Sequence, residues 1–212
     1  MGRACRKVLV IALMTGSCLA ATKPHTVVLG KPQAVKATSD SGQTSEIKIR
    51  PLLVDAKIKE YTTGATHDVT DRLFVVQRVF RLNDSLPQED GKPRWTWQLG
   101  GWISVDRATG HVAQLNLAVY DPETSRASWY RDFAAYCGLS DDGSKSYLVV
   151  SQLGRRKPIL KKEFAGSGCP APTWERTPSR ITFAPEAGEK ASFVVHGHTA
   201  DLQPDVADEE QQ

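Results

Sequence analysis

The run at residues 72–82, RLFVVQRVFRL, constrains the fold more than any other stretch of the chain. In a strand, Leu73, Val75 and Val79 project to one side and Phe74, Val76, Phe80 and Leu82 to the other. Both sides then need cover, which predicts a strand lying centrally in a sheet. A helix is disfavoured by the β-branched and aromatic content. The rest of the chain has the same texture: 16 Gly and 12 Pro punctuate short apolar runs, and long helical repeats are missing.

Further strands are predicted around residues 27–29, in two short pieces between 47 and 61 that break near Asp55-Ala56 and end at Gly64, and at 95–106, returning at 111–117 after the turn Arg107-Ala108-Thr109-Gly110. Residues 134–164 read as a three-stranded meander turning at 140–143 and at 154–157. Residues 165–179 read as an irregular Pro/Gly/Ser strap, followed by a hairpin over 180–196. Trp129, Phe133 and Tyr136 fall at helical spacing, so residues 125–136 are predicted to form one short helix. The expected fold is mainly β, a single antiparallel meander or sandwich-like domain with that helix. A partial propeller-like arrangement is the alternative.

The first 21 residues have the form of an export signal: Arg3, Arg6 and Lys7, then an apolar run, then small residues around Cys18-Leu19-Ala20. The run is too short to span a bilayer, so no transmembrane segment is expected after cleavage. The alternative is lipid anchoring through Cys18, since Thr15-Gly16-Ser17-Cys18 loosely matches a lipoprotein cleavage box. Residues 22–45 read as a flexible arm, 46–200 as the β-rich domain, and 201–212, acidic and without a base, as a disordered tail. The whole chain carries 27 basic and 24 acidic side chains, and losing the three signal cations balances them. A neutral exported protein with no dense basic stripe gives no case for nucleic acid as a partner. Cys137 and Cys169 are the only cysteines beyond the signal, and a lone pair in an oxidising compartment predicts a disulfide. The location expected is the periplasm or the exterior.

Residues 101–117 (GWISVDRATGHVAQLNL) and 139–150 (LSDDGSKSYLVV) are similar to hairpins of β-propeller blades, in which a DxxTG or xDG turn joins two strands. Over residues 46–198 the chain resembles a group of exported bacterial proteins with no assigned activity, through HDVTDRLFVVQR (67–78), SWYRDFAAYCGLSDDG (128–143) and QLGRRK (152–157). The resemblance implies export and a shared fold. It supplies no catalytic residue and no cofactor.

Five groups could carry chemistry. His67, Asp68 and Asp71, placed before the central strand, could form the base of an extracytoplasmic hydrolase or simply cap a loop. Arg131-Asp132, beside Trp129 and Tyr130, suits a recognition patch or an ion pair that fixes packing. His196 and His198 could supply two metal ligands, too few for a site. Arg155, Arg156 and Lys157 form a basic turn able to hold an anion, or a solvated hairpin tip. Trp95, Trp97 and Trp102 would make a platform for an acidic glycan or a peptide if exposed, and core if buried. No nucleophile elbow, HExxH helix, phosphate loop or dinucleotide fingerprint occurs. The leading expectation is therefore a non-catalytic binding domain using Trp95, Trp97, Trp102, Arg155, Arg156 and Lys157, with no metal and no cofactor.

Overall fold

A computed structural model describes residues 24–38, 42–83, 85, 93–166 and 169–203. The export signal, Cys18 and residues 204–212 of the acidic tail lie outside the described residues. The fold is built from β1 (Val27–Leu29), β2 (Gln33–Thr38), β3 (Thr44–Val54), β4 (Lys57–Asp68), β5 (Leu73–Asn83), β6 (Trp95–Asp106), β7 (Val112–Gln114), β8 (Ser128–Tyr130), β9 (Phe133–Leu139), β10 (Ser146–Gln152), β11 (Leu160–Phe164), β12 (Thr173–Glu175), β13 (Arg180–Phe183), β14 (Ala191–His196) and β15 (Thr199–Gln203). No helix occurs among the described residues, so none there is long and apolar enough to cross a membrane.

The chain forms three sheets. In the first, β2 pairs with β3, β3 with β4, β4 with β5 and β5 with β6, all antiparallel, and β6 returns to β2 through the parallel partners Ala37 and Trp97. The pairings thus run in a closed ring of β2 to β6, and an odd number of strands in antiparallel succession can close only through a parallel contact. As its two apolar faces require, β5 is central, flanked by β4 and β6. Its Phe74 and Val76 pack with Leu52, Ile103 and Val105 beneath Val27, Leu29 and Val112, while Val75 and Val79 are buried on the opposite face. β1 lies along the second half of β3, in register Val27 with Val54.

The second sheet has the order β11-β10-β9-β8 and the third β12-β13-β14-β15. They pack face to face around Cys137, Leu148, Val150, Ile181, Phe183 and Phe193, the sandwich arrangement in which inward side chains of both sheets form one core. The Cys137–Cys169 disulfide joins β9 to the strap across this core, with the Cα atoms 6.1 Å apart. The other face of the second sheet, at Ala134, Tyr136 and Val149, is covered by Leu117, Val119, Tyr120 and Trp129, so this segment lies between the sandwich and the ring sheet.

Four expectations need correction. Residues 125–136 are not helical: β8 and β9 form a hairpin with Tyr130 opposite Phe133, turning at Arg131 (φ 53°) and Asp132. The spacing of Trp129, Phe133 and Tyr136 resembled a helix only because two turn residues interrupt a period of two. β1 forms where a strand is expected around residues 27–29, but the arm of residues 22–45 also supplies β2 and the start of β3 where a flexible connection is expected. Gly64 does not end a strand. It sits with φ 78° inside the irregular stretch between Thr62 and Thr66 of β4, where a Cβ would come within 2.5 Å of Arg50. Asp201, Leu202 and Gln203 belong to β15, paired with Val194, Phe193 and Ser192, rather than to the tail.

Candidate functional site

The ladder between β5 and β6 explains where the three tryptophans go. Gln77 lies opposite Trp102, Val79 opposite Leu99, Arg81 opposite Trp97 and Asn83 opposite Trp95. Directly opposed residues share a face, and alternate β5 residues share one too, so all three indoles and Leu99 stand on one face. From Leu99 to Trp102 the chain advances three residues while β5 advances two, a bulge at Gly100-Gly101. That extra residue keeps Trp102 on the same face as Trp95 and Trp97 despite its even number.

Their surroundings differ completely. Trp102 is 8% exposed. Its ring packs at 5.2 Å against Trp129, whose ring in turn stacks on His67, and its Nε1 donates to the Tyr120 hydroxyl at 3.0 Å. Gln77 Nε2 donates to the same hydroxyl at 3.4 Å, and burial pushes the Tyr120 phenol up, keeping it neutral. Trp102 is therefore core, and the expectation that it lines a ligand surface is corrected. At the far end of the same strand, Trp95 is 55% exposed, among the most exposed large apolar side chains of the described residues. Trp97 is half-buried and braced edge-on by Tyr61 at 5.0 Å.

Arg81 joins the two indoles. Its guanidinium carbon lies 5.1 Å from the Trp95 ring centre and 5.4 Å from that of Trp97, a stacked cation–π arrangement. The residue is exposed, and among the described residues its fork has no ion-pair or hydrogen-bond partner. The neighbouring Arg78 is instead committed to Glu60 at 2.8 Å. The stripe Trp95–Trp97–Leu99 continues into a groove of about 200 Å³ floored by Ala37, Ile47 and Leu99 and lined as well by Thr38, Gln43, Ser45, Glu123 and Arg126. Arg126 is held by the backbone carbonyls of Glu123 and Ser125.

Sequence reasoning found the indoles and missed Arg81. The signal was available: with Val79 inward-facing, Arg81 falls two residues on along the same face.

The other predicted residues do not converge. His67 and Asp68 are consecutive in β4 and point to opposite faces. His67 Nε2 lies 2.8 Å from the Arg131 carbonyl oxygen, and Asp68 accepts from Arg107 at 2.6 Å. Asp71 contributes its backbone carbonyl to the same Arg107. Of the three only Asp71 lies in the loop before the central strand; His67 and Asp68 end β4 and diverge from each other. Asp132 accepts from Gln152 at 2.9 Å and Arg131 occupies the hairpin turn, so that pair does not form an ion pair with itself. His196 and His198 flank the turn at Gly197, and His198 Nδ1 lies 3.1 Å from Gln152 Oε1. No group of three metal-ligating side chains occurs among the described residues.

Arg155, Arg156 and Lys157 are exposed in the β10–β11 connection of the second sheet, after the positive-φ Gly154. The cation beside Trp95 and Trp97 is Arg81, from the ring sheet itself. The larger cleft, about 610 Å³ between β11 and β15, is lined by Leu148, Phe164 and Leu202, and its Lys162 already lies over the Phe193 ring. No protein-family model, curated protein or solved structure matches the chain.

Proposed function

We propose that the chain is an exported, non-catalytic β-protein that holds an envelope or extracellular ligand on the Trp95–Arg81–Trp97 surface. The observation carrying this reading is the Arg81 guanidinium, stacked beside two indoles and without an ion-pair partner among the described residues. Stacking fixes a long side chain before any ligand arrives, which lowers the ordering cost of binding. The exposed fork suits a planar anion, and the exposed Trp95 offers apolar area beside it. The Cys137–Cys169 pair fits an oxidising compartment, in keeping with the export signal of the first 21 residues; attachment through Cys18 would keep the same surface outside the cytoplasm.

The alternative, a hydrolase built on His67, Asp68 and Asp71, gains nothing from the geometry, since His67 and Asp68 point to opposite faces and meet the Arg131 carbonyl and Arg107, while Asp71 reaches Arg107 only through its backbone carbonyl. The test is a screen of purified exported protein against ester, glycoside, peptide and phosphate substrates with divalent metals added. No turnover above background is expected. Turnover at an ordinary enzymatic rate that is lost in His67→Ala would overturn the non-catalytic reading.

A further inference from the structure

Resting on that reading, we infer that the surface takes a carboxylate-bearing oligosaccharide, laid along Trp95 and Trp97 with a carboxylate on Arg81 and one end in the groove floored by Ala37, Ile47 and Leu99. Arg81 supplies the charge preference. A stacked guanidinium presents its N–H fork in a plane, the geometry that matches a carboxylate bidentately. The indoles supply the sugar preference, because a pyranose ring offers a face of C–H bonds that packs on an aromatic plane.

Length argues for more than one ring. From Trp95 to Leu99 the strand rises about 13 Å at roughly 3.3 Å per residue, and the groove continues past Leu99. A single small anion would use Arg81 and leave that apolar stripe uncovered. The Thr38 and Ser45 hydroxyls in the groove match a ligand rich in hydroxyls.

The topology weighs against a peptide. Capture of an extended peptide by strand addition needs an unpaired sheet edge. At Trp97, β6 is flanked by β5 on one side and by β2 on the other. Recognition here must come from side chains: the two indoles and the Arg81 guanidinium on the strand, and in the groove the Thr38 and Ser45 hydroxyls with Gln43, Glu123 and Arg126.

The experiment titrates the exported protein with trigalacturonic acid and with its neutral methyl ester, reading tryptophan emission and heat. The acid is expected to bind with a Kd below about 1 mM, and the ester about tenfold or more weaker, the usual worth of a hydrogen bond to a charged group. Arg81→Gln should bring the acid to the level of the ester while near-UV circular dichroism stays unchanged. Trp95→Ala should weaken acid and ester by a similar factor. Equal affinity for acid and ester, acid binding indifferent to Arg81→Gln, or no binding at about 10 mM would each overturn the sugar assignment. An aspartate-rich peptide that binds more tightly and loses affinity in Arg81→Gln would replace the sugar but leave the ligand-surface reading standing. If neither probe shifts the emission of Trp95, that reading falls as well.

Discussion

Replacing Tyr136 by Phe tests how the segment between the ring sheet and the sandwich is held. Tyr136 is fully buried in β9. Its hydroxyl donates to the Ala118 carbonyl at 2.8 Å and lies 3.1 Å from Ser151 Oγ, itself buried. Burial pushes the phenol well above its ordinary pKa, so it remains a neutral donor at any pH at which the protein is folded. The ring also meets Tyr120 edge-on at 5.2 Å, and Tyr120 receives the indole N–H of Trp102. Tyr136→Phe keeps the ring and removes only the hydroxyl, leaving a half-buried carbonyl and a buried serine without that partner. Unsatisfied buried groups of this kind cost about 1–3 kcal/mol. Ser151→Ala alone should cost less, because the bond to Ala118 survives, and the double variant should be less destabilised than the sum of the two. Urea denaturation at unchanged m value measures this, and amide exchange over residues 115–127 should quicken in Tyr136→Phe. A change under about 0.5 kcal/mol, the scatter of an ordinary surface substitution, would refute the reasoning. So would a full loss of stability with unaltered exchange in that segment.

Removing the disulfide with the pair Cys137→Ser and Cys169→Ser releases a loop whose ends are 32 residues apart, and the chain-entropy relation gives a loss of about 3.7 kcal/mol; an unchanged denaturation midpoint, or two alkylatable thiols in the native exported protein, would contradict it. At the β9–β10 turn the Asp142 carboxyl is held down from 3.8 to about 2, first by the Ser140 hydroxyl and then by the backbone N–H and hydroxyl of Ser144. Because the folded value lies below the unfolded one, its contribution is present above pH 4 and lost as pH falls through 2; a carboxyl NMR titration with its midpoint near 4 would remove the claim.

The alternating strands were legible wherever one chain segment decides its own face. β5 is the clearest case: two apolar faces imply a centre, and β4 and β6 flank it. The meander of β9, β10 and β11 and the hairpin of β13 and β14 follow from Gly- and Asp-bearing turns between apolar runs. What sequence reading lost were features set by partners distant along the chain. β2 is polar at half its positions, with a burial pattern that leaves only Ala37 buried. Nothing local marks it as the strand that closes the ring through Trp97. The β8–β9 hairpin was hidden because its turn residues, Arg131 and Asp132, are neither Gly nor Asn. Arg131 nonetheless adopts φ 53°, and Leu153 donates its N–H to the Asp132 carbonyl.

The same logic separates the tryptophans. Periodicity assigns Trp95, Trp97 and Trp102 a face only once the bulge at Gly100-Gly101 is known, and even then it says nothing about exposure. Exposure is decided by how far the cover extends. Tyr120, from the segment between the sheets, and Trp129, from β8, reach Trp102 and bury it. Further along the face, Trp97 has Tyr61 as its brace, and Trp95 has Arg81 beside it and Asn83 across the ladder. A strand that continues past its cover exposes whatever its alternation places there, and the usual solution is a charged or polar residue. Here that end of the strand carries two indoles with the Arg81 guanidinium beside both, and Arg81 has no anionic partner among the described residues. Packing of the ring sheet does not require that combination, since Thr or Lys at position 95 would extend the ladder equally well; the ligand proposed above, with an apolar face and a negative charge, would use it.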